Sequence, residues 1–343
     1  MSDIICYPKN VYIELTRNCN LHCKMCRERG DYSSSYYRMS DKIISIIEEQ
    51  ILPFARVVDL RGYGESTLDN RFEKLVDRYI DWGLKVKFFT NLNTKNSKFW
   101  ERIGKRDVQV GISIESAIPG RYEHFRRGGK YNKFIKNLNS FLKYDKARER
   151  CYFAVTIGDE NILDLFSIVD LAIKFNIPRI FLNNLTKYTD DGSVQKYLDV
   201  KMNNYIHDSL VHILEKIEGK NVSILLTSSP LQNVKRINYY CIHPWTNVLI
   251  CFNGDVKFCD CLDNIPESTI GNLLYQNFEN IWNSEKYNNI RNSFKNGVTN
   301  ISQNINQECG WCFVYRYGDF YDNRFRNHGP VDLRTYLNLA HKC

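Results

Sequence analysis

The chain has 343 residues, of which 43% are hydrophobic and 25% charged, so its composition excludes a disordered protein and its length favours two domains. No apolar run approaches the roughly 20 residues that cross a bilayer, and the N-terminal residues lack the basic and apolar regions of a signal peptide. The net charge of +8 is scattered, which argues against nucleic acid as a partner. With twelve cysteines, these features predict a cytoplasmic protein, away from any membrane, whose thiols bind metal rather than form disulfides.

Strands and helices alternate from residue 11 to about residue 185. Apolar runs predict strands at 11–15, 57–60, 85–89, 108–114, 151–157 and 179–182. Helical spacing predicts helices at 71–80, 98–103, 134–144 and 162–175. Gly83 and Gly104 stand where two of these helices should end. The alternation predicts an α/β fold with a parallel sheet and right-handed crossovers, and it leaves open an open sheet or a barrel.

The remainder of the chain gives weaker signals. Residues 186–193 are polar and predict a loop, with a turn at Asp191 and Gly192. A long amphipathic helix is expected at 197–218, a strand at 222–226 and a linker at 228–238. Around Gly254, an Asn-Gly-Asp sequence predicts a β-hairpin between 246–252 and 256–258. We therefore expect a core at 1–190, a helical connection at 191–238 and a second domain at 239–343.

Three cysteines form a CxxxCxxC motif directly after the first predicted strand, at Cys19, Cys23 and Cys26. Thiolates select soft metals, zinc or iron–sulfur clusters. Three ligands leave a four-metal cluster one site short, and an open site is where chemistry occurs. A structural zinc knuckle is the alternative, but zinc sites prefer paired CxxC units and four ligands, and no histidine follows Cys26 at the required spacing.

The motif and its position resemble the signature of the radical SAM family. The resemblance implies that the three cysteines hold a [4Fe–4S] cluster, whose fourth iron is chelated by S-adenosyl-L-methionine. In that family one electron cleaves the sulfonium, and the resulting 5′-deoxyadenosyl radical abstracts hydrogen from a substrate. The resemblance also implies the fold: a partial (β/α)6 barrel followed by a small cysteine-rich domain. It implies an electron donor such as flavodoxin or ferredoxin.

Further residues resemble the positions that bind S-adenosylmethionine in that family. The sequence after the second strand resembles its GGE motif, with Tyr63 between the two glycines, and Asn91 follows the third strand as in its TN motif. A segment ending at Arg126 resembles its Tyr-Glu-x-x-Arg sequence, and Met25 stands where many relatives carry an aromatic residue. Strand-end solvation or helix capping is the alternative for each polar residue. The predicted cofactor-binding residues are Met25, Gly62, Gly64, Glu65, Asn91, Ser113, Glu115 and Arg126.

The C-terminal region holds a second group of cysteines: Cys241, Cys251, Cys259, Cys261, Cys309 and Cys312. Four thiolates from two segments complete either a zinc site or a cluster, and the residues alone leave both open. The spacing from Gly254 to Cys259 and the Pro-Trp pair after Cys241 resemble the SPASM extension of radical SAM enzymes. The full SPASM pattern requires a cysteine where this chain has Gly318. The resemblance therefore implies the shortened twitch form, with one auxiliary [4Fe–4S] cluster on Cys241, Cys259, Cys309 and Cys312.

The reaction expected from this resemblance is hydrogen abstraction by an oxidoreductase or an epimerase. The first hypothesis is dehydrogenation or epimerisation of a carbohydrate or aminocyclitol-type small molecule. Epimerisation or cross-linking of a ribosomally made peptide is the alternative, and a non-catalytic protein with two zinc sites is the second. Cys261 is the candidate catalytic hydrogen donor, because alternation would point the thiols of Cys259 and Cys261 to one face if the strand continued past Cys259. Cys251 is expected to be a buried small hydrophobe.

Overall fold

Parallel strands dominate the structure, as the alternation of elements predicts. In this computed structural model the described residues are 7–26, 35–184, 186–188, 194–196, 203–227, 241–262, 265–295 and 331–340. The strands are β1 (Asn10–Ile13), β2 (Val57–Leu60), β3 (Lys85–Thr90), β4 (Val108–Ser113), β5 (Cys151–Ile157), β6 (Arg179–Asn184), β7 (Thr186–Tyr188), β8 (Val194–Lys196), β9 (Ser223–Leu226), β10 (Asn247–Ile250), β11 (Asp255–Lys257), β12 (Thr269–Asn272) and β13 (Val331–Asp332).

Helices occupy most of the connections between the parallel strands. They are α1 (Asp41–Gln50), α2 (Phe72–Asp81), α3 (Ser97–Lys105), α4 (Pro119–Phe125), α5 (Tyr131–Phe141), α6 (Asp145–Arg150), α7 (Asp164–Phe175), α8 (Asn203–Ile217), α9 (His243–Thr246), α10 (Phe278–Trp282), α11 (Glu285–Lys295) and α12 (Leu333–Ala340). Every helix in the described ranges is too short or too polar to cross a membrane.

The chain divides into two structural units, each assembled from separate stretches of sequence. The first contains residues 1–19, 31–88 and 238–329, and the second contains 20–30, 89–237 and 330–343. The predicted boundaries at residues 190 and 238 follow sequence motifs instead, and they stay a prediction.

The first unit is built on β1. This strand pairs in parallel with β2 on one side and with β10 on the other, so that Val11 lies opposite both Val58 and Val248. All four residues of β1 are buried, as expected of a strand between parallel neighbours. On the far side of β10, β11 and β12 continue antiparallel. The predicted hairpin is thereby confirmed, and its turn contains Gly254 at a φ of +87°, the left-handed region that favours glycine.

The second unit carries the strand order β4-β5-β6-β9-β13, in which only β13 runs antiparallel to its neighbour. In this unit, helix α3 extends past the residue at which it was expected to end. Gly104 lies within α3 rather than at its end. A Cβ on Gly104 would meet Phe141 O at 2.2 Å, so the glycine allows α3 and α5 to approach closely.

Three other predictions differ from the structure or lie beyond its described part. The predicted loop at 186–193 is wrong in part, because β7 pairs with β8 in an antiparallel hairpin. Helix α8 (Asn203–Ile217) lies within the helix predicted at 197–218, and the first six residues of that prediction lie outside the described residues. The predicted linker at 228–238 lies outside the described residues. By contrast, the predicted helix end at Gly83 is confirmed, since Gly83 follows α2 with a φ of +78°.

Candidate active site

The CxxxCxxC motif lies on the segment that follows β1. Cys19 is exposed and belongs to the first unit, whereas Cys23 and Cys26 are half-buried and belong to the second. The amide of Cys26 donates to Cys23 O at 3.1 Å, which closes a turn around the second and third cysteines. None of the seven cysteines whose side chains are described forms a disulfide. Their role as cluster ligands stays a prediction, and reduced thiols are the state that such ligation requires.

Backbone hydrogen bonds fix this cysteine segment to the end of α4. The amide of His22 donates to Arg127 O at 2.9 Å, and the amide of Lys24 donates to Phe125 O at 2.8 Å. Gly128 follows, with a φ of +87° that lets the chain turn beside Leu21. The segment around Cys23 is therefore held by main-chain contacts that do not depend on side-chain identity.

A buried ion pair lies beside Cys23 in the second unit. Arg126 Nε lies 2.6 Å from Glu115 Oε2, and Arg126 Nη2 donates to Glu115 Oε1 at 2.9 Å. The remaining nitrogen, Nη1, points to Cys23 Sγ at 3.9 Å. Burial alone would lower the pKa of Arg126, but the charges of Glu115 and Cys23 raise it, so the guanidinium stays protonated. Two predicted cofactor-binding residues are thus brought together with one predicted ligand.

An asparagine network supports the same segment. The Asn91 side chain donates to Asn20 Oδ1 at 3.1 Å, and its Oδ1 accepts from the amide of Asn93 at 2.7 Å. Asn93 in turn donates to Tyr122 Oη at 2.6 Å and accepts from the amide of Lys130 at 2.7 Å. Asn91, predicted to bind the cofactor, therefore contacts the cysteine segment directly. Asn93 was not predicted; the only sequence signal for it is its place two residues after Asn91.

The other two predicted residues of this region, Met25 and Ser113, are both half-buried. Met25 lies in the turn between Cys23 and Cys26. Ser113 ends β4. Their predicted contacts with a cofactor stay predictions.

The glycines of the GxGE sequence make close protein contacts in the first unit. A Cβ on Gly64 would meet Thr16 O at 2.3 Å, and one on Gly62 would meet Glu14 Cγ at 2.3 Å. The amide of Glu65 donates to Asn18 O at 2.9 Å. The glycines therefore let this loop pack against the residues that precede Cys19, and this packing was not among the sequence predictions.

Glu14 is a residue that the sequence predictions missed. Its carboxylate is 2% exposed and accepts hydrogen bonds from the amide of Tyr63 at 3.1 Å, the amide of Phe252 at 3.3 Å and Arg17 Nε at 3.3 Å. It therefore ties β1 to the loop after β2 and to the hairpin after β10. A single acidic residue within the apolar run 11–15 is the signal that could have found it.

A second missed group is a buried charged cluster, formed by Asp59, Arg61 and Asp260. Arg61 pairs with Asp59 through Nη2 and with Asp260 at 3.1 Å through Nη1. Its guanidinium carbon lies 4.7 Å from the centroid of the Tyr12 ring. Burial would lower the pKa of Arg61, but the two carboxylates raise it well above its ordinary value. Asp59 Oδ1 is buried and has no hydrogen-bond partner among the described residues.

The C-terminal cysteines with described side chains, Cys241, Cys251 and Cys259, lie in the first unit. Cys241 and Cys259 are half-buried, and the charges of both thiols contribute to raising the pKa of Tyr287, although burial of the phenol is the larger cause. His243 Nδ1 lies 3.6 Å from Cys259 Sγ. Sequence reasoning gave His243 no role, although it stands between Cys241 and the Pro-Trp pair. The other two predicted ligands, Cys309 and Cys312, lie outside the described residues, as does Gly318.

The premise for Cys261 is wrong. Strand β11 ends at Lys257, and residues Asp260–Leu262 form a 3₁₀ turn, so alternation along a strand says nothing about where Cys261 points. The predicted burial of Cys251 is confirmed: it is 2% exposed and packs in a cluster with Tyr12 and Leu249.

The residues present fit a cluster and S-adenosylmethionine. The donor set is thiolate sulfur at both cysteine groups, which suits iron. Arg126 and Glu115 offer a cation and an anion beside Cys23. Asn18 Oδ1, next to Cys19, is a buried acceptor without a partner in the described part of the chain, and a donor on a bound ligand would satisfy it.

Comparison with known proteins agrees with a site for an iron–sulfur cluster and S-adenosylmethionine. The radical SAM superfamily model matches residues 13–172, and the SPASM model, an iron–sulfur cluster-binding domain, matches residues 241–313. A tungsten-containing aldehyde ferredoxin oxidoreductase cofactor-modifying protein of Pyrococcus furiosus is 20% identical over 314 residues, 84% of each chain.

Solved structures share the fold at low sequence identity. SuiB of Streptococcus suis, bound to S-adenosylmethionine, aligns with a TM-score of 0.65 at 16% identity, over 83% of this chain and 68% of that chain. BtrN in complex with AdoMet and 2-DOIA aligns with a TM-score of 0.51 at 14% identity, over 90% and 93% of the two chains. The predicted fold class is confirmed. Residues 13–172 therefore match the radical SAM superfamily and residues 241–313 match the SPASM iron–sulfur domain, and the cofactors that these two domains imply are S-adenosylmethionine, a [4Fe–4S] cluster and auxiliary iron–sulfur.

Proposed function

We propose that this enzyme abstracts a hydrogen atom from a carbon of a polar small molecule, of the carbohydrate or aminocyclitol type, and dehydrogenates or epimerises it. The observation that carries the substrate class is the buried charged cluster of Asp59 in β2, Arg61 at the carboxyl end of β2 and Asp260 after β11. The carboxyl ends of parallel strands are where α/β enzymes bind their substrates.

The cofactor side of the proposal uses the residues around Cys23. Cys19, Cys23 and Cys26 would hold the cluster, and Arg126 would orient the carboxylate of S-adenosylmethionine through Nη1, because Glu115 occupies its other two nitrogens. When bound, the two cofactors supply a 5′-deoxyadenosyl radical by one-electron cleavage, with the electron drawn from a flavodoxin or ferredoxin. The chain itself contributes a fixed guanidinium and a segment held rigid by main-chain bonds.

The substrate side of the proposal rests on unmet hydrogen-bonding capacity. A buried carboxylate oxygen without a donor costs about 1–3 kcal/mol, and a ligand hydroxyl or ammonium would recover that cost at Asp59 Oδ1. Arg61 adds a positive charge to the cluster, and its guanidinium carbon lies 4.7 Å from the centroid of the Tyr12 ring. Hydroxyl-rich or amino-substituted rings present hydroxyl and ammonium groups within one small molecule.

A peptide substrate is the competing proposal. SuiB has also been solved with its precursor peptide SuiA, and it shares the fold with this chain. A peptide can be bound through its main chain at a strand edge or through apolar side chains in a groove, and neither mode needs a buried charged cluster. The charged cluster therefore favours the polar small molecule.

The experiment starts with anaerobic reconstitution and a count of about eight irons per chain for two [4Fe–4S] clusters. The protein is then given dithionite, S-adenosylmethionine and deuterated substrates from two panels, amino sugars with cyclitols and short peptides. Deuterium in 5′-deoxyadenosine identifies the substrate class. Transfer from peptides alone would contradict the proposal, as would zinc in place of iron at both sites.

Variants of the charged cluster formed by Asp59, Arg61 and Asp260 make the test specific to the proposed substrate site. Asp59→Asn and Arg61→Lys should lower substrate-dependent turnover by roughly 10–100-fold, since a hydrogen bond to a charged group contributes about 1.5–3 kcal/mol. Cleavage of S-adenosylmethionine without substrate should persist. Arg78→Lys is the matched control, because Arg78 pairs with Glu48 on the surface. Unchanged turnover in both Asp59→Asn and Arg61→Lys would exclude a role for the charged cluster in substrate binding.

Cys261 stays our proposal for a hydrogen donor in an epimerisation, supported by its place directly after Asp260 of the charged cluster. Cys261→Ala should then abolish solvent deuterium incorporation into the product while deuterium transfer to 5′-deoxyadenosine continues. Cys251→Ala is the control at the other unassigned cysteine of this region. A Cys261→Ala enzyme that still forms epimer would exclude this role, and a product two hydrogens lighter would indicate dehydrogenation.

A further inference from the structure

His243 and Cys259 form a contact that neither the family resemblance nor the sequence motifs assign. We propose that His243 Nδ1–H donates a hydrogen bond to Cys259 Sγ while that sulfur ligates the auxiliary cluster, and that this bond raises the reduction potential of the cluster. The inference rests on the ligand role proposed for Cys259.

The contact lies in a compact set of donor atoms. His243, Cys259 and Asp260 each offer one potential ligand atom, and these three atoms lie within 4.8 Å of one another. The Asp260 carboxylate is engaged by Arg61 at 3.1 Å. His243 is 3% exposed, and its Nδ1 lies 3.6 Å from the sulfur, a hydrogen-bond distance for N–H···S.

The distance of 3.6 Å between His243 Nδ1 and Cys259 Sγ has a different meaning at a cluster and at a single metal ion. Each iron of a [4Fe–4S] cluster takes one outward-pointing protein ligand, so ligands on different irons diverge and cannot lie in contact. Two donors 3.6 Å apart can instead share a single metal ion, because zinc binds sulfur at about 2.3 Å and nitrogen at about 2.0–2.1 Å in a tetrahedron. With a cluster present, His243 is therefore a hydrogen-bond donor and not a ligand.

The backbone that carries His243 is held in place from several sides. Pro244 O, on the next residue, accepts from Tyr287 Oη at 2.6 Å and from Arg291 Nε at 3.0 Å. The guanidinium of Arg291 also stacks on the ring of Tyr287, 3.9 Å from its centroid. The amide of Trp245 donates to Ile242 O at 2.9 Å, which closes the turn. The imidazole is thus pre-positioned rather than mobile.

The direction of the effect follows from charge. Reduction adds an electron to the cluster, and the additional negative charge spreads to the ligating sulfurs. An N–H donor at such a sulfur stabilises the reduced state more than the oxidised one, which raises the potential. An electron acceptor for a substrate radical works better at a higher potential, so His243 would act as a positioning residue that tunes the acceptor.

The test uses the full-length chain with Cys19, Cys23 and Cys26 changed to alanine, so that the auxiliary cluster can be titrated alone by EPR. His243→Phe should shift the reduction equilibrium about tenfold, a potential about 59 mV lower for a one-electron couple. His243→Asn places an amide N–H near the position of Nδ1 and should restore at least half of that shift. Iron content of about four per chain in each variant shows that the cluster is intact.

A second measurement keeps the inference testable if His243→Phe fails to fold. Protein labelled with ¹⁵N-histidine should show weak nitrogen hyperfine coupling, as expected through a hydrogen bond. Strong coupling from a directly bound nitrogen would overturn the inference, as would an unchanged potential in His243→Phe. Zinc in place of iron at this site would overturn it in favour of a shared single ion. A site that takes up no metal would instead refute the ligand role of Cys259 itself.

Discussion

Glycine contacts decide how the loop after β2 packs. Gly64 lies against the backbone of residues 16–18, and a methyl group there would overlap Thr16 O at 2.3 Å. The overlap is with main chain, which cannot move aside as a flexible side chain can. Gly64 therefore sets the path of the chain immediately before Cys19.

Gly64→Ala should displace this segment and lower both the free energy of unfolding and the iron content. Overpacking typically costs about 1–3 kcal/mol, and more where backbone must shift. Gly120→Ala is the control, since nothing lies within 4 Å of a Cβ at that position in α4. Urea titration and iron analysis of both variants check the expectation. Equal stability of the two variants would contradict the proposed packing role of Gly64.

In the ion pair of Arg126 and Glu115, replacing Arg126 should destabilise the protein more than replacing Glu115. Arg126→Met leaves Glu115 buried without its partner, which should cost about 3–5 kcal/mol of stability. Glu115→Gln retains a hydrogen-bonding partner and should cost less. Binding of S-adenosylmethionine, measured by equilibrium dialysis on reconstituted protein, should fall more in Arg126→Met. Wild-type affinity in that variant would refute the proposed carboxylate contact.

At the scale of elements, a carboxylate organises the start of α2. The Asp69 side chain is fully buried and accepts from Arg71 through its amide at 2.8 Å, Nε at 3.0 Å and Nη2 at 2.7 Å. Arg71 also donates to Met39 O at 2.8 Å. Burial alone would raise the pKa of Asp69, but the hydrogen bonds from Arg71 outweigh it and lower the pKa.

This pKa predicts a pH dependence of stability. Because the folded-state pKa is depressed, the ionised Asp69 stabilises the fold above its ordinary value of 3.8, and that contribution is lost as the pH falls further. Asp69→Asn should lower the free energy of unfolding by about 2 kcal/mol at neutral pH. In urea titrations over a pH series, the difference in the free energy of unfolding between Asp69→Asn and wild type should become smaller below pH 3.8. A constant difference would show that ionisation of Asp69 is not involved.

The elements best predicted from sequence are those whose residues are buried on both faces. The runs at 57–60 and 151–157 become β2 and β5 with the predicted bounds, because parallel strands show continuous apolar runs. Gly104 was assigned to a helix end, since a glycine there usually marks one, while the actual reason is a tertiary contact with Phe141. The hairpin of β7 and β8 was missed because its residues lack apolar alternation.

At the scale of the whole molecule, two groups of cysteines are expected to load iron independently. Cys23→Ala should remove about four irons and abolish cleavage of S-adenosylmethionine, whereas Cys259→Ala should remove about four irons and leave cleavage without substrate intact. Iron and sulfide analysis with 5′-deoxyadenosine detection checks both. Loss of all iron from either single variant would show that the two sites assemble together.

Much of the candidate site could be predicted because motifs mark it. The cysteines, the GxGE loop, Asn91 and Arg126 follow from local sequence. Asp59 and Arg61 could not be found in this way, since their importance depends on Asp260, 199 residues from Arg61. His243 lacked a role for a similar reason, because its contact with Cys259 arises only when the hairpin after β10 folds.

The pairing of β10 with β1, reinforced by the bond from the Phe252 amide to Glu14, bears on how modular this protein is. Family boundaries suggest that the C-terminal region could be cut away or exchanged. Removal would uncover the buried edge of β1, a row of open backbone groups that promotes aggregation. It would also leave a buried carboxylate with one donor fewer. Chimeras that swap only the region after residue 238 would therefore need to carry a matched first strand with them.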